Sequence, residues 1–173
     1  MLDRLSTIDL IDIKCQKNNE EFFDYKSVNN FLETAKILKN QSKCLRLKVC
    51  CLLVKDGRIV STGINGTPKG YENCCDHFSY VDISKPIFKD IHHIWSNDHE
   101  VHAELNAILE LGKNTSIDSY SNLELYCTTC PCPNCAKMIA QAGIKTVFYF
   151  EAYDRMPEGE NLLKSFGVTV IKF

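Results

Sequence analysis

From Ser27 to Gln41 the apolar residues Val28, Phe31, Leu32, Ala35 and Leu38 recur at intervals of three and four, which predicts an amphipathic helix. Arg46 to Lys55 is rich in leucine, valine and cysteine and reads as a strand. Asp56-Gly57 then separates it from a second apolar run, Arg58 to Ile64, and Asp-Gly between two such runs predicts a hairpin. Asn65 to Gly70 reads as a loop. Residues 71 to 99 show little period and are expected to form a long loop, which in a compact domain points to a function or a bound ligand. Helical spacing returns from His102 through Leu105, Ile108, Leu109 and Leu111, with Gly112 as its expected stop.

Beyond it the elements alternate. Leu123 to Thr128 predicts a strand. Pro133 to Ala142 predicts a helix with proline in its first turn and Gly143 just past its end. Lys145 to Phe150 predicts a strand, Asn161 to Phe166 a short helix ended by Gly167, and Val168 to Phe173 a last strand. Helices between apolar strands imply parallel crossovers. The expected class is therefore α/β, a three-layer α/β/α arrangement around a mixed five-stranded sheet. Residues 1 to 26 carry no clear period and read as an N-terminal extension ahead of one domain, 27 to 173.

Composition narrows the function classes. The formal net charge is −2, which argues against a broad nucleic-acid-binding face. No stretch reaches the roughly 18 apolar residues of a membrane span, and the first residues carry Asp3, Asp9 and Asp12 rather than a continuous apolar core. A cytoplasmic setting is expected. The 10 cysteines then read as thiols and metal ligands rather than a disulfide framework. Some are expected to be small buried apolar residues.

Two short segments carry the chemistry. His102-Ala103-Glu104 and Pro131-Cys132-Pro133-Asn134-Cys135 together read H-x-E…P-C-x-x-C, the pattern of zinc-dependent base deaminases. His102, Cys132 and Cys135 supply three ligands for Zn²⁺ and leave a fourth position open, as a catalytic site requires. A water bound there gives hydroxide near neutral pH. Glu104 is placed to move protons between that water, the ring and the leaving amine. Either half alone would be weak, since a C-x-x-C pair also serves redox or structural zinc sites. Both ligand segments fall at predicted helix starts, where thiolate is favoured.

On these residues the chain resembles the deoxycytidylate (dCMP) deaminases, especially the phage and viral type. The resemblance runs through His102-Ala103-Glu104-Leu105-Asn106-Ala107-Ile108, Pro131-Cys132-Pro133-Asn134-Cys135-Ala136-Lys137, Ser61 to Pro68, Gln141 to Lys145 and Glu151 to Asp154. It covers residues 27 to 173. It implies the cytidine deaminase fold, hydrolysis of dCMP to dUMP and ammonia, and homo-oligomers, hexamers favoured. It also implies control by dCTP and dTTP, with Mg²⁺ accompanying the effector. For the substrate it implies Arg46 at the phosphate, Asn65 at the sugar hydroxyl, Tyr153 near the phosphate and the Ala103 N–H at the pyrimidine carbonyl. A guanidinium fork suits a phosphate dianion, while Asn65-Gly66 also makes a turn on its own account.

The resemblance further implies a second, structural zinc held by Cys44, Cys74, His92 and Glu100, with Cys75 or His93 able to replace its neighbour. Such a site would fasten the long 71–99 segment. The chain also departs from the pattern. Val49-Cys50-Cys51 stands where V-G-A is usual, and Cys130 stands before Pro131 where serine or glutamate is frequent. Glu110 and Lys113 occupy positions where regulatory members carry an aromatic residue and an arginine, which bears on the effector site. Two other readings are the same chemistry on a different substrate (dCTP as well as dCMP, or a nucleic-acid base) and a catalytically silent zinc-bound scaffold. The intact His102, Glu104, Cys132 and Cys135 argue against the last.

Overall fold

The computed structural model describes residues 23–114, 122–152 and 158–173. Helix α1 (Tyr25–Leu38) is capped by Asp24, whose carboxylate accepts from the Lys26 N–H at 3.1 Å and the Ser27 hydroxyl at 2.6 Å. A 3₁₀ turn (Lys39–Gln41) follows. Strands β1 (Cys50–Lys55) and β2 (Arg58–Ile64) form the expected hairpin. Its turn holds Asp56 at φ 50° and Gly57 at φ 70°, the left-handed pair that closes a tight hairpin.

Next come α2 (Cys74–His77), α3 (Pro86–His99) and α4 (Ala103–Asn114). The remaining elements are β3 (Glu124–Thr129), α5 (Pro133–Gln141), β4 (Thr146–Glu151), α6 (Glu158–Ser165) and β5 (Thr169–Lys172). The sheet order is β2-β1-β3-β4-β5. β1 pairs antiparallel with β2 and β3, while β3–β4 and β4–β5 are parallel. The expected α/β class with a mixed five-stranded sheet is what forms.

The period of two along the strands divides two cores. Cys50, Leu52, Val54, Tyr126 and Phe148 face α1 and pack with Val28, Leu32 and Ala35. Cys51, Leu53, Leu125, Cys127 and Val147 face the opposite side, with Ala107 of α4, Ile139 of α5 and Leu163 of α6. β1 and β3 are covered on both faces, so they read as continuous apolar runs rather than alternating ones.

Three expectations are corrected. The first strand begins at Cys50 rather than Arg46, because Ser42 to Val49 carries ligand and cavity residues instead of sheet pairs. The segment 71–99 is not a loop: it holds α2 and the 14-residue α3. Apolar residues lie on two sides of α3, and a single stripe is hard to see. Phe88, His92 and Trp95 point inward while Ile87, Ile91 and Ile94 are exposed. Helix α4 runs past Gly112 to Asn114. A glycine inside a helix costs only about 1 kcal/mol against alanine, and burial of Ala103, Ala107 and Leu111 outweighs it.

Candidate metal centres and the cavity between them

Helix α4 is seated on β2 by contacts that fix the residues at its start. An added β-carbon at Gly63 would lie 2.0 Å from the Ala103 carbonyl oxygen, so only glycine admits this approach. The Ser61 hydroxyl donates to the Ala107 carbonyl at 2.8 Å, and the Asn106 amide donates to the Ile64 carbonyl at 2.8 Å. Val101 and Gly66 bridge through N–H···O bonds of 2.8 and 3.2 Å. His102 is therefore delivered at a fixed point, one residue ahead of α4. Asn106 has no assigned role in the sequence reading, although it lies within the quoted H-A-E-L-N segment.

Cys132 is the N-cap of α5, with Pro133 in the first turn. Its loop is held from behind: an added β-carbon at Gly159 would lie 1.9 Å from the Pro131 carbonyl oxygen, so α6 rests directly on it. This brings together the three ligands expected from sequence. His102 Nδ1 lies 3.2 Å from Cys135 Sγ and 3.5 Å from Cys132 Sγ, and the three donor atoms fall within 4.8 Å of one another. One imidazole and two thiols converging at this spacing fit a Zn²⁺ ion, with Zn–S near 2.3 Å and Zn–N near 2.0 Å. Among the described residues three donors converge here, not four, which leaves room for a water or substrate atom.

The electrostatics agree with that donor set. Hydrogen bonds with Cys135 and His102 hold the Cys132 thiol down at about 4, while the bond with Cys132, together with burial, pushes Cys135 up. The bond to Cys132 raises His102 to about 9. Glu104, in the first turn of α4, is buried, and burial pushes its carboxyl up against the opposing charge of His102. Cys130 stays outside the donor set. Burial raises its thiol to about 12, and its N–H donates to the Glu151 carbonyl at 2.8 Å, so it packs as a neutral residue.

The second expected set also assembles. Cys44, Cys74, His92 and Glu100 place four donor atoms within 4.8 Å, with Cys44 Sγ 3.3 Å from His92 Nε2. Between the neighbouring pairs it is Cys74 and His92 that join the cluster; Cys75 is only half-buried, and His93 lines the cavity. The Leu45 N–H points at Cys74 Sγ at 3.4 Å, and Ser42 Oγ accepts the Cys44 N–H at 3.2 Å. Glu100 Oε1 is buried without a hydrogen-bond partner among the described residues, which a metal would satisfy. Burial and the charge of Cys44 hold Glu100 up at about 8. Four donors of this kind fit a closed, structural zinc.

Around this set the rings form a continuous pile. His77 stacks on Trp95 with centroids 4.8 Å apart, Trp95 on His99 at 4.9 Å, and His99 on Tyr71 at 5.4 Å. Phe78 meets Trp95 edge-on at 5.3 Å. These contacts tie α2 to α3.

A cavity of about 1090 Å³ opens onto both donor sets. Of the expected substrate residues, Arg46, Asn65 and Ala103 line it. Asn65 is 9 % exposed, and its amide is committed to the neighbouring chain: Oδ1 accepts the Val49 N–H at 2.8 Å and Nδ2 donates to the Leu47 carbonyl at 2.9 Å. It thus holds the Arg46 segment in place. One N–H and one lone pair of that amide remain for a ligand. Tyr153 lies outside the described residues. Glu110 and Lys113 pair with each other at 3.2 Å at the exposed end of α4 and do not line the cavity. The sequence reading missed the far wall. Lys89, His93, Ser96 and Asn97, one face of α3, look into the cavity. Their four-residue and seven-residue spacing was visible, but the segment's loop reading hid it.

Comparison with known proteins agrees with this geometry. Residues 26–151 match the family model of the cytidine and deoxycytidylate deaminase zinc-binding region. The deoxycytidylate deaminase of Enterobacteria phage T4 is 36% identical over 167 residues, covering 80% of this chain and 86% of that protein. That of Saccharomyces cerevisiae is 34% identical over 147 residues, covering 83% of this chain and 43% of the yeast protein. The crystal structure of dCMP deaminase from cyanophage S-TIM5, in complex with dCMP and dUMP, superposes with a TM-score of 0.71 at 36% identity, covering 87% of this chain and 99% of that one.

Proposed function

This chain belongs to the cytidine and deoxycytidylate deaminase family, and on that premise we propose that it hydrolyses dCMP to dUMP and ammonia. The observation that carries the reading is the convergence of His102, Cys132 and Cys135 beside a buried Glu104 in one cavity. His102, Cys132 and Cys135 would hold a zinc ion, which would supply an activated water. Glu104 moves the two protons of that water in turn, the first to the ring nitrogen and the second to the amine, so that the water oxygen stays on the ring carbon and ammonia leaves. Burial raises its pKa, which favours its holding a proton between the two transfers. The Ala103 N–H, at the start of α4, orients the ring by its carbonyl. Arg46 binds the phosphate, steadied by Asn65, which also reaches the sugar hydroxyl. Tyr153 joins the phosphate contacts. Cys44, Cys74, His92 and Glu100 hold a second zinc that fastens α3 as the far wall of the cavity.

The same reading treats residues 1–26 as an extension outside the catalytic domain, and the family match beginning at residue 26 supports that division. It includes homo-oligomers, with hexamers favoured. It also includes control by dCTP and dTTP with Mg²⁺, in which Lys113 and Glu110 take part. The enzyme acts in the cytoplasm of a cell or an infected host; among the described residues no helix is long and apolar enough to cross a membrane.

One observation favours a broader substrate range. Lys89 and Lys137 line the cavity in addition to Arg46, more cationic groups than one phosphate requires. That supports turnover of dCTP beside dCMP. The test is the initial rate on dCMP, dCTP, deoxycytidine and cytidine, followed by ultraviolet absorbance, with Arg46→Ala run alongside. The reading expects dCMP fastest and a loss of about 10- to 100-fold in kcat/KM for Arg46→Ala, as for one charge-assisted bond. No turnover of dCMP by a zinc-loaded protein overturns it.

A further inference from the structure

Thr129 ends β3. Side chains alternate across a strand. Leu125 and Cys127 face the side that carries the His102, Cys132 and Cys135 donors, while Tyr126 faces α1. Thr129 shares the side of Leu125 and Cys127, and it lines the cavity with Glu104, Cys132 and Cys135. It is 5 % exposed, yet its Oγ1 has no hydrogen-bond partner among the described residues. Its neighbour Thr128 shows the contrast: that hydroxyl points the other way and accepts the Cys50 N–H at 3.2 Å. Only one other buried side-chain atom among the described residues is left so, Glu100 Oε1, and the second donor set accounts for it. Thr129 belongs to neither donor set.

A buried hydroxyl left unsatisfied is unfavourable, and one in the wall of a cavity gains its partner from what enters the cavity. We propose that Thr129 is a specificity-determining residue whose Oγ1 hydrogen-bonds the polar edge of the substrate's pyrimidine ring. The inference rests on the deaminase reading above. Thr129 stands three residues before Cys132 and lines the cavity together with the His102, Cys132 and Cys135 donors, beside which the ring must lie for its reacting carbon to be attacked. A neutral hydroxyl donates once and accepts twice. That suits a cytosine edge, which alternates an amino donor with ring-nitrogen and carbonyl acceptors, better than a phosphate dianion.

The experiment compares wild type, Thr129→Val and Thr129→Ser on dCMP, each also in an Arg46→Ala background, with zinc content and Tm measured for every protein. Valine keeps the shape and removes the hydroxyl. Thr129→Val is expected to lower kcat/KM about tenfold, the size of one hydrogen bond, by the same factor in both backgrounds. Thr129→Ser is expected to stay within about threefold of wild type on the same scale. Zinc content and Tm are expected to match wild type, since no internal bond is lost. Three results would overturn the inference. One is an unchanged kcat/KM for Thr129→Val. Another is a penalty that disappears in the Arg46→Ala background, which would place the hydroxyl at the phosphate. The third is a loss of zinc or a marked fall in Tm, which would reveal a structural partner. If wild type itself fails to turn over dCMP, the deaminase reading falls and this inference falls with it. If wild type is active and Thr129→Val equals it, only this inference falls.

Discussion

Gly63 of β2 and Ala103 of α4 meet so closely that a β-carbon on the glycine would sit 2.0 Å from the alanine's carbonyl oxygen. The same added atom would lie 2.3 Å from the Ala107 nitrogen, so the obstruction is helix backbone and not a side chain that can turn away. Gly63→Ala must therefore push α4 off the sheet, and His102 and Glu104 move with it. Overpacking of this kind costs about 1–3 kcal/mol and more when backbone is displaced. The expected outcome is a lower denaturant midpoint together with reduced zinc content and turnover. A Gly63→Ala protein with wild-type stability would contradict the close seating of the helix.

Glu104 separates proton transfer from metal binding, because it is near the three donors but is not one of them. Glu104→Gln removes the titrating group and keeps the shape. Zinc is expected to remain at wild-type content while kcat falls by about 10²–10⁴-fold, the usual contribution of a general acid–base residue. Metal analysis and absorbance kinetics on one preparation check both halves. Retained turnover would remove the role assigned to Glu104.

The chain has a single tryptophan, Trp95, and it packs with Cys44, Cys74, Phe78 and Phe88 between two histidine rings. Its emission should report the second donor set and not the first. Cys74→Ser is expected to change Trp95 emission and lower Tm, because an emptied four-donor site no longer fastens α3. Cys132→Ser, which disables the other site, should leave the emission as in wild type. Equal emission changes in the two variants would refute the separate anchoring of α3.

Metal affinity at the second site carries a pH dependence of definite sign. Burial holds Glu100 up at about 8, and the hydrogen bond with Cys44 pushes the Cys74 thiol up. In the metal-free fold both groups keep their protons at neutral pH, and metal binding must displace them. Affinity therefore falls as pH drops below about 8, and with two protons displaced the fall is about 100-fold per pH unit. Zinc competition with a chelator across pH 6 to 8, on a Cys132→Ser background, reads this slope as about two protons. A flat profile would show that these groups are already ionised.

The sequence alone determined the parts whose chemistry is local. Zinc ligation dictates residue types at short spacing, so His102 with Glu104, and Cys132 with Cys135, could be read where they stand. The Asp56-Gly57 hairpin was equally legible, because few residues tolerate the left-handed backbone found there. The alternation of helices and strands after residue 100 gave the parallel half of the sheet. Cys44, Cys74, His92 and Glu100 lie on separate segments with no short-range period. Their grouping was suggested by family likeness and not by spacing, and the fold brings their donors within 4.8 Å. Helix α3 escaped notice because its inward residues are ring-bearing and metal-binding while its isoleucines face out, a pattern that makes sense only once the cavity and the second donor set are placed on its other faces. The commitment of Asn65 to the backbone at Leu47 and Val49, and the unpaired hydroxyl of Thr129, are facts of tertiary structure as well. A sequence names the hydrogen-bonding groups a chain carries; only packing decides which of them are satisfied within the fold and which are left for a ligand.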